Sequence, residues 1–348
     1  MNVPIVTDPR TDPRWCALVN RLPSDVFHSP AWMRVLTDTY GFDFQARLIL
    51  DDEGEPLGGL PFCHIRDMLG ERIVTLPFSD YCDPLTDRRD VWAALTADHL
   101  AHDCPVMIRS LHNDLLHGDA RFKIVKQAKW HGLDLRPDVD ALWRGLHDSS
   151  HRAIHKSERS GVVIRAAQNA DDLRAFFGMH LAIRKYKYQM LAQPHRLFEN
   201  IWRHFIEPGA GFLLLACHQD KPIAGVLYLR WKDTLYYKFN ASSSASLELR
   251  PNDQIMWEGI KRAKESGCVA LDFGLSDWDQ EGLIRYKRKF GTIEKTISFW
   301  RHVPETPRPR EEKQTRELLS ALTQLFVNPA VPDEVTERAG ENLYQYFA

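Results

Sequence analysis

The chain has 348 residues, 44% apolar and 26% charged, with a net charge of −2. That is enough for two ordinary folded domains, and the charge balance excludes a global pull toward nucleic acid or membrane, so any polyanion must be met by a local patch. There is no apolar run of about eighteen residues, so no membrane span is expected. The start, MNVPIVTDPRTDPRW, lacks the basic and apolar segments of a signal peptide. Six scattered cysteines with no CxxC pair argue against a zinc ribbon and for reduced thiols in a cytoplasm.

In chain order, the pattern predicts a helix over 13–22 and a second running to Tyr40, with Ser29 as its cap and Pro30 in its first turn. Strands over 44–50 and 56–65 flank the turn Asp51-Asp52-Glu53-Gly54-Glu55. A strand over 72–77, the loop PFSDYCDP and a helix over 91–102 follow. Short strands are expected over 106–110, 122–126 and 132–135, then a helix over 142–161 with a basic face. A second round begins with a strand over 162–166 and helices over 171–190 and 194–205. Strands over 212–218 and 222–231 enclose the tight turn at Gln219-Asp220-Lys221, and a strand over 235–240 comes next.

The stretch from Pro251 to Gly291 then supplies a helix capped by Asp253 and stopped at Gly267, and a buried strand over 268–273. It continues as a polar loop holding Gly274, Ser276, Asp277 and Asp279, and the basic run Arg285, Lys287, Arg288 and Lys289. A strand end that opens into a polar loop and a cluster of cations suits the floor of a substrate site. A last strand over 293–302, a proline-rich strap over 304–309, a helix over 311–326 and a short terminal helix complete the chain.

The halves echo one another. A helix carrying Trp32 leads to strand, turn and Pro56-Leu57-Gly58-Gly59; a helix carrying Trp202 leads to strand, turn and Pro222-Ile223-Ala224-Gly225. Repetition at this scale implies two copies of one α/β unit.

The stretches FHSPAWMRVL, PFSDYCDPL, SHRAIHKSERSGVVI, IRKYKY, KPIAGVLYLRWKDTLYYKFNASS, RPNDQIMWEGIKRAKESG, LDFG and GLIRYKRKFG, in this order, resemble the Fem family of aminoacyltransferases and their acetyltransferase relatives. The resemblance covers residues 25 to 302 and implies an α/β (α+β) chain of two tandem GNAT-like units, mixed sheets flanked by helices. It implies an N-terminal unit over 1–148, a second unit over 149–303 carrying the substrate cleft, and a strap and C-terminal helices over 304–348 returning to the first unit. It further implies a monomer that moves an amino acid from aminoacyl-tRNA to a small-molecule or peptide amine, such as a peptidoglycan precursor, with no permanently bound cofactor. Coenzyme-A-dependent acylation of an amino sugar, with acetyl-coenzyme A as donor, is the alternative. A non-catalytic binding subunit is the reading from another class.

Amide formation from an ester or thioester needs an amine that loses a proton, a stabilised oxyanion and a held leaving group. Tyr286-Lys287 matches the family's aromatic–lysine pair, which implies that Lys287 stabilises charge at the transferring ester; a solvated basic turn is the alternative. Arg184 matches a family arginine that grips an anionic group, Tyr237 a substrate-contacting tyrosine, and Asp80 and Tyr81 a loop of the first unit facing the cleft. Asn252 is polar at a helix start, and Asp272 is a base, an orienter of lysine, or a structural acceptor within LDFG. The family's first-unit lysine after the tryptophan is absent: Leu36 stands there, with Arg34 on the same helix.

His147, His151 and His155 share one helical face, but Arg152, Lys156 and Arg159 surround them, so we expect a substrate-facing basic helix and no metal. Lys156, Arg159, Arg285, Arg288 and Lys289 are the candidates for tRNA phosphates. From Arg285 to Arg310 there are eight Lys and Arg against Glu294 and Glu305. The loop NASSSASLELRP lacks the glycines of a coenzyme A pyrophosphate turn, which favours a donor held otherwise.

Overall fold

The computed structural model describes residues 4–102, 104–304 and 309–348. The first elements are β1 (Ile5–Thr7), α1 (Pro13–Arg21), α2 (Pro30–Tyr40), β2 (Phe44–Leu50), β3 (Pro56–Asp67), β4 (Gly70–Val74), α3 (Arg89–Ala101) and β5 (Val106–Ser110). β6 (Lys123–Asp134), α4 (Val139–Arg144), α5 (Asp148–Arg159), β7 (Val163–Ala166), α6 (Ala170–Ala182) and α7 (His195–Ile201) follow. Next come β8 (Gly211–His218), β9 (Lys221–Trp231), β10 (Thr234–Ser242), α8 (Pro251–Glu265), β11 (Ala270–Ser276) and α9 (Glu281–Arg288). β12 (Ile293–His302), α10 (Pro309–Phe326) and α11 (Asp333–Leu343) close the chain.

Contacts divide the chain into unit 1, residues 1–128, 295–320 and 345–348, and unit 2, residues 129–294 and 321–344. Unit 1 orders its strands β1-β2-β3-β4-β5-β12, and unit 2 orders its own β7-β8-β9-β10-β11-β6. Within each, three antiparallel pairings are followed by one parallel pairing and a last antiparallel one. The parallel pair is joined by a crossover helix, α3 in unit 1 and α8 in unit 2, as parallel strands require. The echo between the halves is therefore one pairing pattern used twice. Trp15, Trp32 and Phe27 fill the core of unit 1; Phe176, Phe198, Tyr228 and Phe273 fill that of unit 2.

Several expectations change. The strands expected over 122–126 and 132–135 are one strand, β6, and the helix over 142–161 breaks into α4 and α5, because His147 starts a new helix by accepting the Ser149 N–H on its own ring nitrogen. The helix over 171–190 ends at Ala182 and widens into a π-turn, Ile183–Lys187; a second π-turn, Trp202–Ile206, follows α7. The basic run is not an open turn but the helix α9. Asp253 does not cap α8, which starts at Pro251 after Arg250 in a left-handed conformation and has no side-chain cap.

The division of the chain also differs from the expected one. It falls at 128/129, within β6, whose residues from Lys129 on pair with β11. Residues 321–344, expected on the first unit, belong to unit 2. The buried Lys185 ammonium donates to Asp333 Oδ1 at 2.7 Å and to the Val331 carbonyl at 2.6 Å, and Arg174 makes a two-pronged pair with Glu337 at 2.6 and 2.8 Å. Residues 305–308 of the expected strap lie outside the described residues.

Candidate functional site

In unit 2 the parallel pairing of β10 with β11 runs only from Thr234 to Tyr236 and from Ala270 to Asp272. Beyond it each strand is irregular: β10 shifts register between Tyr237 and Phe239, and β11 shifts against β6 between Asp272 and Leu275. Gly274 makes the second break with a left-handed backbone (φ 67°), a conformation that costs glycine least. Asp272 closes it, its Oδ1 accepting the Gly274 N–H at 2.6 Å.

The break aims two carbonyls at Lys287. Its Nζ donates to Gly274 O at 3.0 Å and to Leu275 O at 2.9 Å, and the side chain is 1% exposed. α9 explains how a lysine comes to be buried among cations that are not. Ile284 and Lys287, three apart, face inward, whereas Gly282, Arg285 and Lys289 line the other side. Tyr286 donates its hydroxyl to the Asn252 carbonyl at 2.9 Å, which ties α9 to the start of α8, and burial holds its phenol well above its ordinary pKa.

A cavity of about 450 Å³ lies against α9, lined by His147, Ser149, Gly282, Arg285, Tyr286, Arg288 and Lys289. Its back wall is fixed. Lys289 Nζ donates to Asp253 Oδ1 at 2.6 Å, the His147 N–H donates to Lys289 O at 2.8 Å, and Arg288 is held by Glu294 at 2.5 and 3.0 Å. The Arg288 hydrogen bonds, aided by Lys129, hold the Glu294 carboxyl down at about 2. Arg285 is exposed and has no ion pair among the described residues. Three cations and a serine hydroxyl around one cavity suit an anionic group.

The structure thus brings Tyr286, Arg285, Arg288 and Lys289 together, with Lys287 on the inner face of the same helix. Tyr237 lies at the β10 break, its ring 5.9 Å from that of Phe273; burial raises its phenol pKa. Asn252 Oδ1 and Ser276 Oγ are buried with no hydrogen-bond partner among the described residues.

Other candidates stand elsewhere. Arg184, in the first π-turn, donates from Nε and Nη2 to Leu191 O at 3.0 and 2.9 Å and does not line the cavity. Lys156 and Arg159 sit in the last turn of α5, whereas the cavity meets its first turn, about 10 Å away along the axis. His151 and His155 lie with their rings 4.6 and 5.5 Å from Trp143. Asp80 and Tyr81 belong to unit 1, where Tyr81 is a buried ring packed 5.4 Å from Phe27.

Sequence reasoning missed three contributors: Ser149 in the cavity wall, Asp253 as the anchor of Lys289, and His131. His131, on β6, is fully buried, and burial next to Lys287 pushes its pKa down to about 4. A lone histidine in a strand carries no signal in a single sequence.

Residues 148–288 match the acetyltransferase (GNAT) domain model. No curated protein matches the chain in sequence. Solved structures do match in fold. FemX is 15% identical, with a TM-score of 0.66 over 88% of this chain and 97% of that one. L-PGS from Bacillus licheniformis is 13% identical, with a TM-score of 0.55 over 93% and 99%. A tandem GNAT protein from the clavulanic acid biosynthesis pathway is 12% identical, with a TM-score of 0.55 over 86% and 97%. At such identities the likeness is one of fold, and in fold this chain is a Fem-like tandem GNAT protein whose second unit holds the matched acetyltransferase domain.

Proposed function

We propose that the chain is an N-acyltransferase, that aminoacyl-tRNA is its donor, and that its acceptor is an amine on a peptide or amino-sugar precursor. The observation that carries this reading is the Lys287 ammonium held at the β11 break, on the helix whose outer face lines a cationic cavity. In the reaction the acceptor nitrogen attacks the acyl carbon, the ester C–O bond breaks, and the amine proton leaves with the ribose hydroxyl. A fixed ammonium favours the tetrahedral oxyanion, because its charge is in place before the reaction starts. Arg285, Arg288 and Lys289 would hold phosphates of the donor. The missing glycines in the loop before α8 favour tRNA over coenzyme A.

One observation favours the second donor. The α8 N-terminus follows a left-handed Arg250 and has no side-chain cap, so no side chain competes with a pyrophosphate for the N–H groups of the first turn beyond Pro251, as in a coenzyme-A-dependent enzyme. Titration of the protein with aminoacyl-tRNA at two salt concentrations, and separately with acetyl-coenzyme A, separates the two. Salt-sensitive tRNA binding without coenzyme A binding supports the first reading; tight coenzyme A binding replaces it with the second.

A further inference from the structure

His131 has no part in the chemistry above, yet its ring lies 3.7 Å from the carboxylate that holds Arg288. Neither ring nitrogen has a hydrogen-bond partner among the described residues, and the side chain is fully buried. The charged groups acting on it are Lys129 from its own strand, Lys287 and Arg288 from α9, and Glu294 from β12. Three cations and one carboxylate therefore surround a neutral imidazole.

Glu294 is the connection. Its Oε1 accepts from Arg288 Nε at 2.5 Å, and its Oε2 accepts from Arg288 Nη2 at 3.0 Å and Lys129 Nζ at 2.5 Å. The same Oε1 stands 3.7 Å from His131 Nδ1. Arg288 also lines the cavity, so an anion bound there would compete with Glu294 for its guanidinium.

We propose that anion binding in the α5–α9 cavity is coupled to proton uptake by His131, with Arg288 and Glu294 as the link. The proposal rests on the reading of that cavity as an anion site. An anion that draws on Arg288 weakens the two hydrogen bonds that neutralise Glu294, and it adds negative charge of its own. Both effects favour the imidazolium. One proton from solvent then binds the His131 ring, and its Nδ1–H donates to Glu294 Oε1 after a small approach. By reciprocity, protonation of His131 tightens anion binding, so affinity rises as pH falls toward the range where His131 titrates. Lys287 would feel the same event as a second positive charge nearby.

Sulfate is the probe, because its charge is constant between pH 5 and 8. Calorimetric titration of the whole chain at pH 6 in two buffers of different ionisation enthalpy reads proton uptake directly. We expect uptake of a fraction of a proton, binding several-fold tighter at pH 5.5 than at pH 7.5, and a His131 ring resonance that titrates at higher pH with sulfate present. His131→Gln abolishes the uptake. His147→Gln, which removes the imidazole in the cavity wall itself, retains it. Binding with equal heats in both buffers, or uptake that disappears with His147, overturns the coupling and leaves the cavity as an anion site. No sulfate binding at low ionic strength overturns both. If His131→Gln does not fold, the wild-type resonance decides the question alone.

Discussion

The Lys287 ammonium is 3.0 Å from the Gly274 carbonyl, at the residue where β11 adopts a left-handed turn. Lys287 is thus both a candidate catalytic charge and a buried hydrogen-bond donor to two backbone carbonyls at the strand break. Lys287→Met should reduce turnover by about 10²–10³, the usual effect of removing a preorganised oxyanion donor, and should also cost about 1–3 kcal/mol through the loss of two buried hydrogen bonds. Turnover measured well below each melting temperature, beside urea denaturation, separates the two effects. Full turnover in a destabilised variant would make the ammonium a strut alone.

Arg285 is the simplest test of the cavity. It is exposed and has no ion pair among the described residues whose loss could destabilise the fold. Arg285→Gln should leave the melting temperature unchanged while lowering the salt slope of polyanion binding by about one unit. An unchanged slope would remove this residue from the anion contact.

Lys185 and Asp333 hold α11 to unit 2. Asp333→Ala removes one of the hydrogen-bond acceptors of the fully buried Lys185 ammonium, leaving the Val331 carbonyl and the Tyr186 ring beside it, and it also takes the acceptor from the Tyr186 hydroxyl, 2.8 Å from Asp333 Oδ1. Because Asp333 itself is 48% exposed, solvent softens the loss, and about 1–3 kcal/mol is expected. Limited proteolysis should cut within 321–344 before it cuts elsewhere in unit 2. Cleavage that begins in another part of unit 2 would count against this role.

Gly259, inside α8, leaves room for the Tyr228 hydroxyl, which a Cβ at that position would overlap. Gly259→Ala improves helix propensity but overpacks the core of unit 2, and the second effect is larger, about 1–3 kcal/mol. A melting temperature above that of the wild type would show that Tyr228 can move aside.

Three buried histidines, His99, His131 and His180, set an acid limit on stability. Burial pushes His99 down to about 3 and His131 and His180 to about 4. In each the folded pKa is depressed, so the unfolded chain binds more protons, and stability present above pH 6.5 is lost as pH falls toward 4. Asp83, raised by burial to about 6, acts in the opposite sense: its contribution is present below pH 4 and lost as pH rises through 6. His28, held well above its ordinary value by Asp25 and Cys82 despite its burial, acts in the same sense as Asp83, whereas burial also lowers His112 and His195; five depressed histidines outweigh these two groups, at about 1.4 kcal/mol per pH unit for each proton. The denaturant midpoint should therefore be lower at pH 5 than at pH 7; a higher midpoint at pH 5 would contradict this balance.

Much of the fold was legible where turn chemistry bounds an apolar run. Strands 44–50, 106–110 and 293–302 and the reversal at Gln219-Asp220 stand where the residues put them. The helix α9 did not announce itself, because its inward stripe is completed by a lysine where an apolar residue would be expected. β6 was split because its middle is polar, with Lys126, Gln127 and Lys129 on it. For the site, the run 285–289 could be read as cationic but not as two-sided, since only a helix sends Lys287 inward and Arg285 and Lys289 outward. Arg184 looked like a free cation beside Lys185, yet it bonds a carbonyl seven residues on, and its neighbour is one of the most deeply buried groups in the unit. Widening of α6 into a π-turn produces both placements, and no periodicity in the sequence signals it.

Neither unit is continuous in sequence. Unit 1 gains residues 295–320 and 345–348, and unit 2 gains 321–344. During synthesis the first 128 residues must therefore wait for about 170 others, on the order of tens of seconds at ordinary elongation rates, before their last strand, β12, is complete. β5 meanwhile has an unpaired edge, since its antiparallel neighbour is β12. The nascent chain thus passes through a period in which it is exposed to mispairing and to chaperones, and a premature stop near residue 300 would leave both halves incomplete, not one intact and one missing.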